Sequence, residues 1–322
     1  MDPGGKADVL APFLVGGGAL ILDGGLATEL EARGFDLNHR LWSARLLQEA
    51  PEAIGAVHRA YLEAGADCIV SASYQATIDG FKDAGLSRQA ATDLLLLSVR
   101  LATDARDAFW AKATNRAGRK RPLVAASVGP YGAALANGAE YTGDYDRDEA
   151  GLRAFHRERF QLLAASGADL LACETIPSAA EARALASLLA ESEATAAWFS
   201  FSCKDGLRIS DGTPLADCAR ILAPLPQVVA IGVNCTSPAF ALSLVACVAA
   251  VTDKPVVAYP NSGERYLAAT RTWSGAVATD WANLGRAWRG AGARLIGGCC
   301  RTGPAHVRAL RRALSAPRAG SA

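Results

Sequence analysis

Eight short apolar runs, each followed by a helix-like stretch, constrain this chain more than any other feature of its sequence. They are ALILDGG (19–25), DCIVSASY (67–74), PLVAASVGP (122–130), DLLACET (169–175), AAWFSFSC (196–203), VVAIGVNC (228–235), PVVAYPNSG (255–263) and RLIGGCC (294–300). Their hydrophobicity is nearly continuous rather than alternating, which is how strands buried on both faces read. The stretches between them have helical period. In 149–168, Leu152, Phe155, Phe160, Leu163 and Ala164 share one face with charges opposite. Gly65, Gly167 and Gly292 stand where a helix ends in the left-handed conformation before the next strand. Eight β-then-α units fit a closed parallel (β/α)8 TIM barrel better than an open doubly wound sheet. The barrel is assigned to 19–314, with an N-terminal extension at 1–18 and a flexible tail at 315–322. The long connections 75–121 and 260–293 are expected to carry extra helices or loops.

Composition excludes several function classes. The chain has 322 residues and a formal net charge of +1, so nothing electrostatic favours nucleic acid or an anionic membrane as partner. The basic run Arg116–Arg121 reads as a solvated loop. No segment is long and apolar enough to span a bilayer, and no secretory signal opens the sequence. Eight cysteines are too sparse for a disulfide scaffold. Cys173 and Cys247 read as core, and a reducing, cytoplasmic setting is expected.

In such a barrel, chemistry sits at the C-terminal ends of the strands. Here those ends carry Asp23, Ser71 to Gln75, Glu174, Asn234-Cys235, Asn261 and Cys299-Cys300. Adjacent cysteines bridge each other poorly, because a disulfide needs Cα atoms about 4.4–6.8 Å apart. Both sulfurs can lean toward one point, and Cys235 would supply a third ligand to a zinc ion with an open fourth position. Spacing alone serves equally well for Cys235 as buried filler beside an accidental pair. Asp23 fits an ordinary turn former. Glu174, within an apolar run, is costly to bury without a cation, and a substrate ammonium group would supply one. Thr28 belongs with the first helix. His39, His58, His156 and His306 lack metal spacing and receive no role.

Taken together, DGGLATELE (23–31), SASYQAT (71–77), ETIPS (174–178), GVNCTSP (232–238), YPNSGE (259–264) and GGCCRTGP (297–304) resemble the zinc-dependent homocysteine S-methyltransferase family over about 19–314. The likeness is to its stand-alone branch, which uses S-methylmethionine or S-adenosylmethionine. LNHRLWS (37–43) departs from it, since that branch has Asp-Pro before Leu-Trp-Ser. The resemblance implies a (β/α)8 barrel with zinc held by Cys235, Cys299 and Cys300 as the catalytic centre. It implies that Asp23 and Glu174 hold the homocysteine amino group, with Ser73 assisting. Asn261 matches a position that fills the fourth zinc site when substrate is absent. The substrates are then small molecules, homocysteine and a sulfonium donor. Tyr74 and Trp42 are candidate aromatic faces for the cationic sulfur, with plain packing as the alternative for each.

Three other readings remain open at this level. One keeps thiol methylation but changes the donor, to betaine for example. Another makes Cys235 the nucleophile of a hydrolase, helped by Asn234 or Glu174, although that requires a base within reach. The third is a zinc-stabilised binding module without turnover.

Overall fold

The computed structural model describes residues 9–37, 42–192, 195–267 and 272–315. Ten strands form: β1 (Leu20–Ile21), β2 (Cys68–Val70), β3 (Leu123–Val128), β4 (Leu170–Ile176), β5 (Ala197–Phe201), β6 (Val228–Asn234), β7 (Val256–Tyr259), β8 (Arg265–Leu267), β9 (Thr272–Ser274) and β10 (Ala293–Ile296). Eight of them make one parallel sheet in the order β1-β10-β7-β6-β5-β4-β3-β2. These eight correspond to the eight apolar runs. Helices fill the connections, because a parallel strand returns only through a crossover. The sheet curls into a nearly closed barrel.

The seam between β1 and β2 is narrow, with one bridge at Leu22–Cys68. Two aspartates extend it. Asp67 accepts from the Ile21 N–H at 3.0 Å, and Asp23 Oδ2 accepts from the Val70 N–H at 2.8 Å. Arg119 and Arg311 both pair with Asp67. Arg116–Arg121 is an exposed loop, as read, except for Arg119, which turns inward. Arg119 donates to the carbonyls of Leu62 and Ala66, Arg116 to Trp110 O, and Arg121 pairs with Asp107. The run fastens helix ends to the barrel.

Side chains of Leu20, Leu22, Cys68, Ala125, Ala172, Trp198, Val257, Tyr259 and Leu295 fill the interior, as a barrel of this size requires. Leu10 is buried in the same cluster, and Phe13 and Leu14 pack against it. The described part of the N-terminal extension is therefore a stopper for the barrel interior. A second, larger cluster lies between strands and helices and includes Cys173. Cys247 is only half-buried.

Gly65, Gly167 and Gly292 all take positive φ, at 114°, 86° and 121°; Gly65 and Gly292 cap their helices as expected, while Gly167 lies two residues beyond the cap Ala165. The connection 75–121 carries helices Ile78–Asp83 and Arg88–Ala111. The connection 260–293 holds the β8–β9 hairpin as well as helix Trp281–Ala291. The helix Glu149–Ala164 keeps its expected buried face but carries two polar residues on it, His156 and Arg159. Glu181, from helix Ala179–Ala190, explains this: His156 Nε2 lies 2.7 Å from its Oε1, and Arg159 lies 3.0 Å from His156 Nδ1. Among the described residues no helix is long and apolar enough to cross a membrane.

Candidate active site

Three thiols meet at the C-terminal mouth. Cys235 follows β6, while Cys299 and Cys300 follow β10. Their sulfurs lie within 4.8 Å of one another, with Cys235 and Cys300 3.4 Å apart. Backbone contacts fix the Cys-Cys turn. The Cys299 N–H donates to Pro260 O at 2.8 Å, and the Ser262 N–H donates to Cys300 O at 3.1 Å. Thr302 Oγ1 donates to Cys299 O at 2.7 Å, and the Arg301 N–H donates to Thr28 Oγ1 at 2.8 Å. Thr28 thus belongs to the first helix, as read, and also anchors this turn. The Gly-Gly pair before the cysteines is required by space: a Cβ on Gly298 would overlap the Thr302 side chain.

The cluster fits a divalent metal by its chemistry. The Cys235 thiol is held well below its ordinary range because Cys299 and Cys300 donate to its sulfur, and those two are held above it. Three sulfurs sharing protons in this way offer one negative charge that a cation can enlarge. Tyr141 adds a hydroxyl 3.5 Å from Cys235 Sγ. Asn261 follows β7, with its N–H on Thr236 O at 2.9 Å. Its Oδ1 is buried with no hydrogen-bond partner among the described residues, as suits an oxygen kept for a ligand.

The two carboxylates stand beside the thiols. Glu174 is buried at 7% exposure, with Oε2 accepting from Tyr259 OH at 3.0 Å and Oε1 from Ser127 Oγ. Burial pushes its pKa up to about 7 although both hydroxyls pull it back, and the charge on Cys235 adds to the rise. Burial also drives the Asp23 carboxyl well above its usual range, and Glu174 adds to the effect. Neither has a salt-bridge partner among the described residues. Burial of both carboxyls without a cation favours their neutral forms.

Ser73 is buried and donates to Ser127 O at 2.8 Å, while its Oγ lies 2.7 Å from that of Ser71. It reaches Glu174 through Ser127, which makes its contact a supporting one. The structure thereby brings Asp23, Ser73 and Glu174 beside Cys235, Cys299 and Cys300. Tyr74 lies near Glu140, Cys235 and Glu174, and its hydroxyl bonds to Thr175. The Trp42 side chain and Asn38–Leu41, which hold most of the departing segment, lie outside the described residues.

Sequence reasoning missed the roles of five residues here. Ser127 and Tyr259 hold Glu174, and both were legible only as strand residues. Asn234, quoted as a strand end, pairs with Thr175 twice: its Oδ1 accepts the Thr175 N–H and its Nδ2 donates to Oγ1, each at 2.7 Å. Tyr141 and its neighbour Glu140 come from a loop with no apolar period to mark it.

A mouth of this kind, three convergent thiols next to two unpaired carboxylates on a (β/α)8 scaffold, defines a thiol-handling metal enzyme. Homocysteine S-methyltransferases match this chain over residues 20–314. The homocysteine S-methyltransferase YbgG of Bacillus subtilis is 51% identical over 292 residues, covering 90% of this chain and 93% of that protein. Homocysteine S-methyltransferase 4 of Zea mays is 52% identical over 307 residues, covering 92% and 90%. The metallated form of the homocysteine methyltransferase MmuM from Escherichia coli superposes with a TM-score of 0.85 at 46% identity, over 94% of this chain and 99% of that one. The chain belongs to the homocysteine S-methyltransferase family.

Proposed function

We propose that this enzyme makes methionine by moving a methyl group from a sulfonium donor, S-methylmethionine or S-adenosylmethionine, to the sulfur of homocysteine. The observation that carries the reading is the convergence of the Cys235, Cys299 and Cys300 sulfurs beside the unpaired carboxylates Asp23 and Glu174. Cys235, Cys299 and Cys300 would hold zinc, and Asn261 would offer a fourth ligand in the absence of substrate; the bound ion would supply the Lewis acidity that favours the thiolate of a group whose free pKa is near 8.5. The metallated state of the Escherichia coli relative supports a metal, and the three-sulfur cluster supports zinc.

The remaining work falls to the protein's own groups. Glu174 and Asp23 take the ammonium of homocysteine and so fix where its sulfur lies. Ser127 and Tyr259 keep the Glu174 carboxyl aimed, and Ser73 supports Ser127. A sulfonium is a good leaving group, so alignment of the two sulfurs supplies much of the remaining rate. Residues 19–314 are the catalytic unit, and a reducing cytoplasm suits eight unpaired thiols.

The test is metal analysis together with initial rates. Protein purified under reducing conditions should carry about one zinc per chain with three sulfur ligands. It should methylate homocysteine with one or both sulfonium donors. Cys299→Ser should lose the metal and the activity while the barrel still folds. Full activity in that variant, or turnover with betaine alone, overturns the proposal.

A further inference from the structure

The loop after β3 brings a third acidic group to the mouth, after Asp23 and Glu174. In the short turn Ala139–Tyr141, Tyr141 reaches Cys235, and Glu140 precedes it. The Glu140 backbone is pinned from two directions. Its carbonyl accepts from Ser202 Oγ at 2.9 Å, and its N–H lies where a Cβ on Gly132 would stand. Its carboxylate Oε2 is sealed from solvent and has no hydrogen-bond partner among the described residues. The charge of this carboxylate is felt at Tyr74, Tyr141 and Cys300. The carboxyl takes one bond from the Glu140 N–H, and its second oxygen, buried beside a reaction centre without a donor, is an incomplete contact.

Resting on the function proposed above, we infer that Glu140 receives the α-ammonium group of the methyl donor and thereby selects sulfoniums built on an amino acid. Three cations reach this mouth. The homocysteine ammonium is already served by Asp23 and Glu174. The sulfonium is a poor match, because its charge vanishes as the methyl leaves. A carboxylate against it would stabilise the ground state more than the transition state and slow the transfer. The α-ammonium keeps its charge throughout. Two methylenes separate its carbon from the sulfonium, so it sits beside the reaction axis. Binding it stabilises donor and transition state equally, which lowers KM for the donor and leaves kcat alone.

The experiment compares S-methylmethionine with (3-carboxypropyl)dimethylsulfonium, the same molecule without its amino group. In Glu140→Gln, KM for S-methylmethionine should rise at least about tenfold with kcat within about twofold, since an ion pair becomes a neutral contact. KM for homocysteine, zinc content and thermal midpoint should not move. The deaminated analogue should be used equally by wild type and variant. Glu140→Asp, which keeps the charge, should recover part of the lost donor affinity. A donor KM unchanged in a folded Glu140→Gln overturns the assignment, as does an equal loss for both compounds. A wild-type enzyme that uses no sulfonium overturns the proposed function, and this inference with it.

Discussion

Asp23 and Glu174 each answer to two demands. Asp23 ties β1 to β2 through Val70, and Glu174 is held between Ser127 and Tyr259, yet both keep acceptor capacity toward the mouth. Removing the charge of Glu174 alone separates the roles. Glu174→Gln should retain the fold and the metal but weaken homocysteine binding by about 1.5–3 kcal/mol, the worth of a charge-assisted hydrogen bond. Calorimetric titration measures this, and unchanged affinity would make Glu174 purely structural. The pH dependence has a definite sign. The Glu174 pKa is raised from 4.5 to about 7, so its contribution to stability is complete below 4.5 and is lost as pH rises through 7. On the proposed function, the homocysteine ammonium needs the charged form. The affinity gap between wild type and Glu174→Gln should therefore widen from pH 5.5 to 7.5.

At the scale of elements, β4 is the strand that matters most. Its register against β5 shifts between Cys173 and Ile176, and Thr175 there has φ of 59°, an unfavourable value for a β-branched residue. Such a bulge re-aims a side chain, and here it delivers Glu174 to the mouth. Asn234 on β6 holds the bulge through both the oxygen and the nitrogen of its side-chain amide. Asn234→Ala should destabilise the protein by about 1–3 kcal/mol, because two buried polar groups on Thr175 lose their partner. Adding Thr175→Gly should recover part of that loss, since glycine adopts positive φ without cost. Denaturant midpoints of the two variants decide the matter.

This strand also marks what the sequence could reveal. The run DLLACET was legible as a buried strand ending in a costly carboxylate, and Cys235 and Cys299-Cys300 were legible as strand-end thiols. The bulge was not, because its cause is a side chain some sixty residues away. The buried His156–Glu181–Arg159 group stayed hidden for the same reason. Helical period places His156 and Arg159 on the face of Leu152 and Leu163, yet their polarity reads as surface, and only the packing of the next helix brings Glu181 to them.

For the molecule as a whole, acid sensitivity follows from His58, buried in helix Pro51–Ala64 with neither ring nitrogen hydrogen-bonded among the described residues. Burial, with Arg59 beside it, lowers its pKa from 6.5 to about 4. Stability from the neutral ring is complete above 6.5 and is lost as pH falls through 4. Between pH 7.5 and 5 the loss is about 2 kcal/mol. Urea unfolding at both pH values should show that loss in wild type, and a smaller one by about this amount in His58→Leu.

The order of strands around the barrel has a consequence for how the enzyme is made. β10, the last strand, inserts between β1 and β7, and the turn after it supplies two of the three thiols. A chain emerging from the ribosome presents Cys235 alone until that final strand appears. A single thiol holds a divalent metal weakly, whereas three convergent ones hold it well. On the proposed assignment, the pairing that closes the barrel also completes the ligand set, so tight capture of the ion falls to finished chains and spares those still being translated.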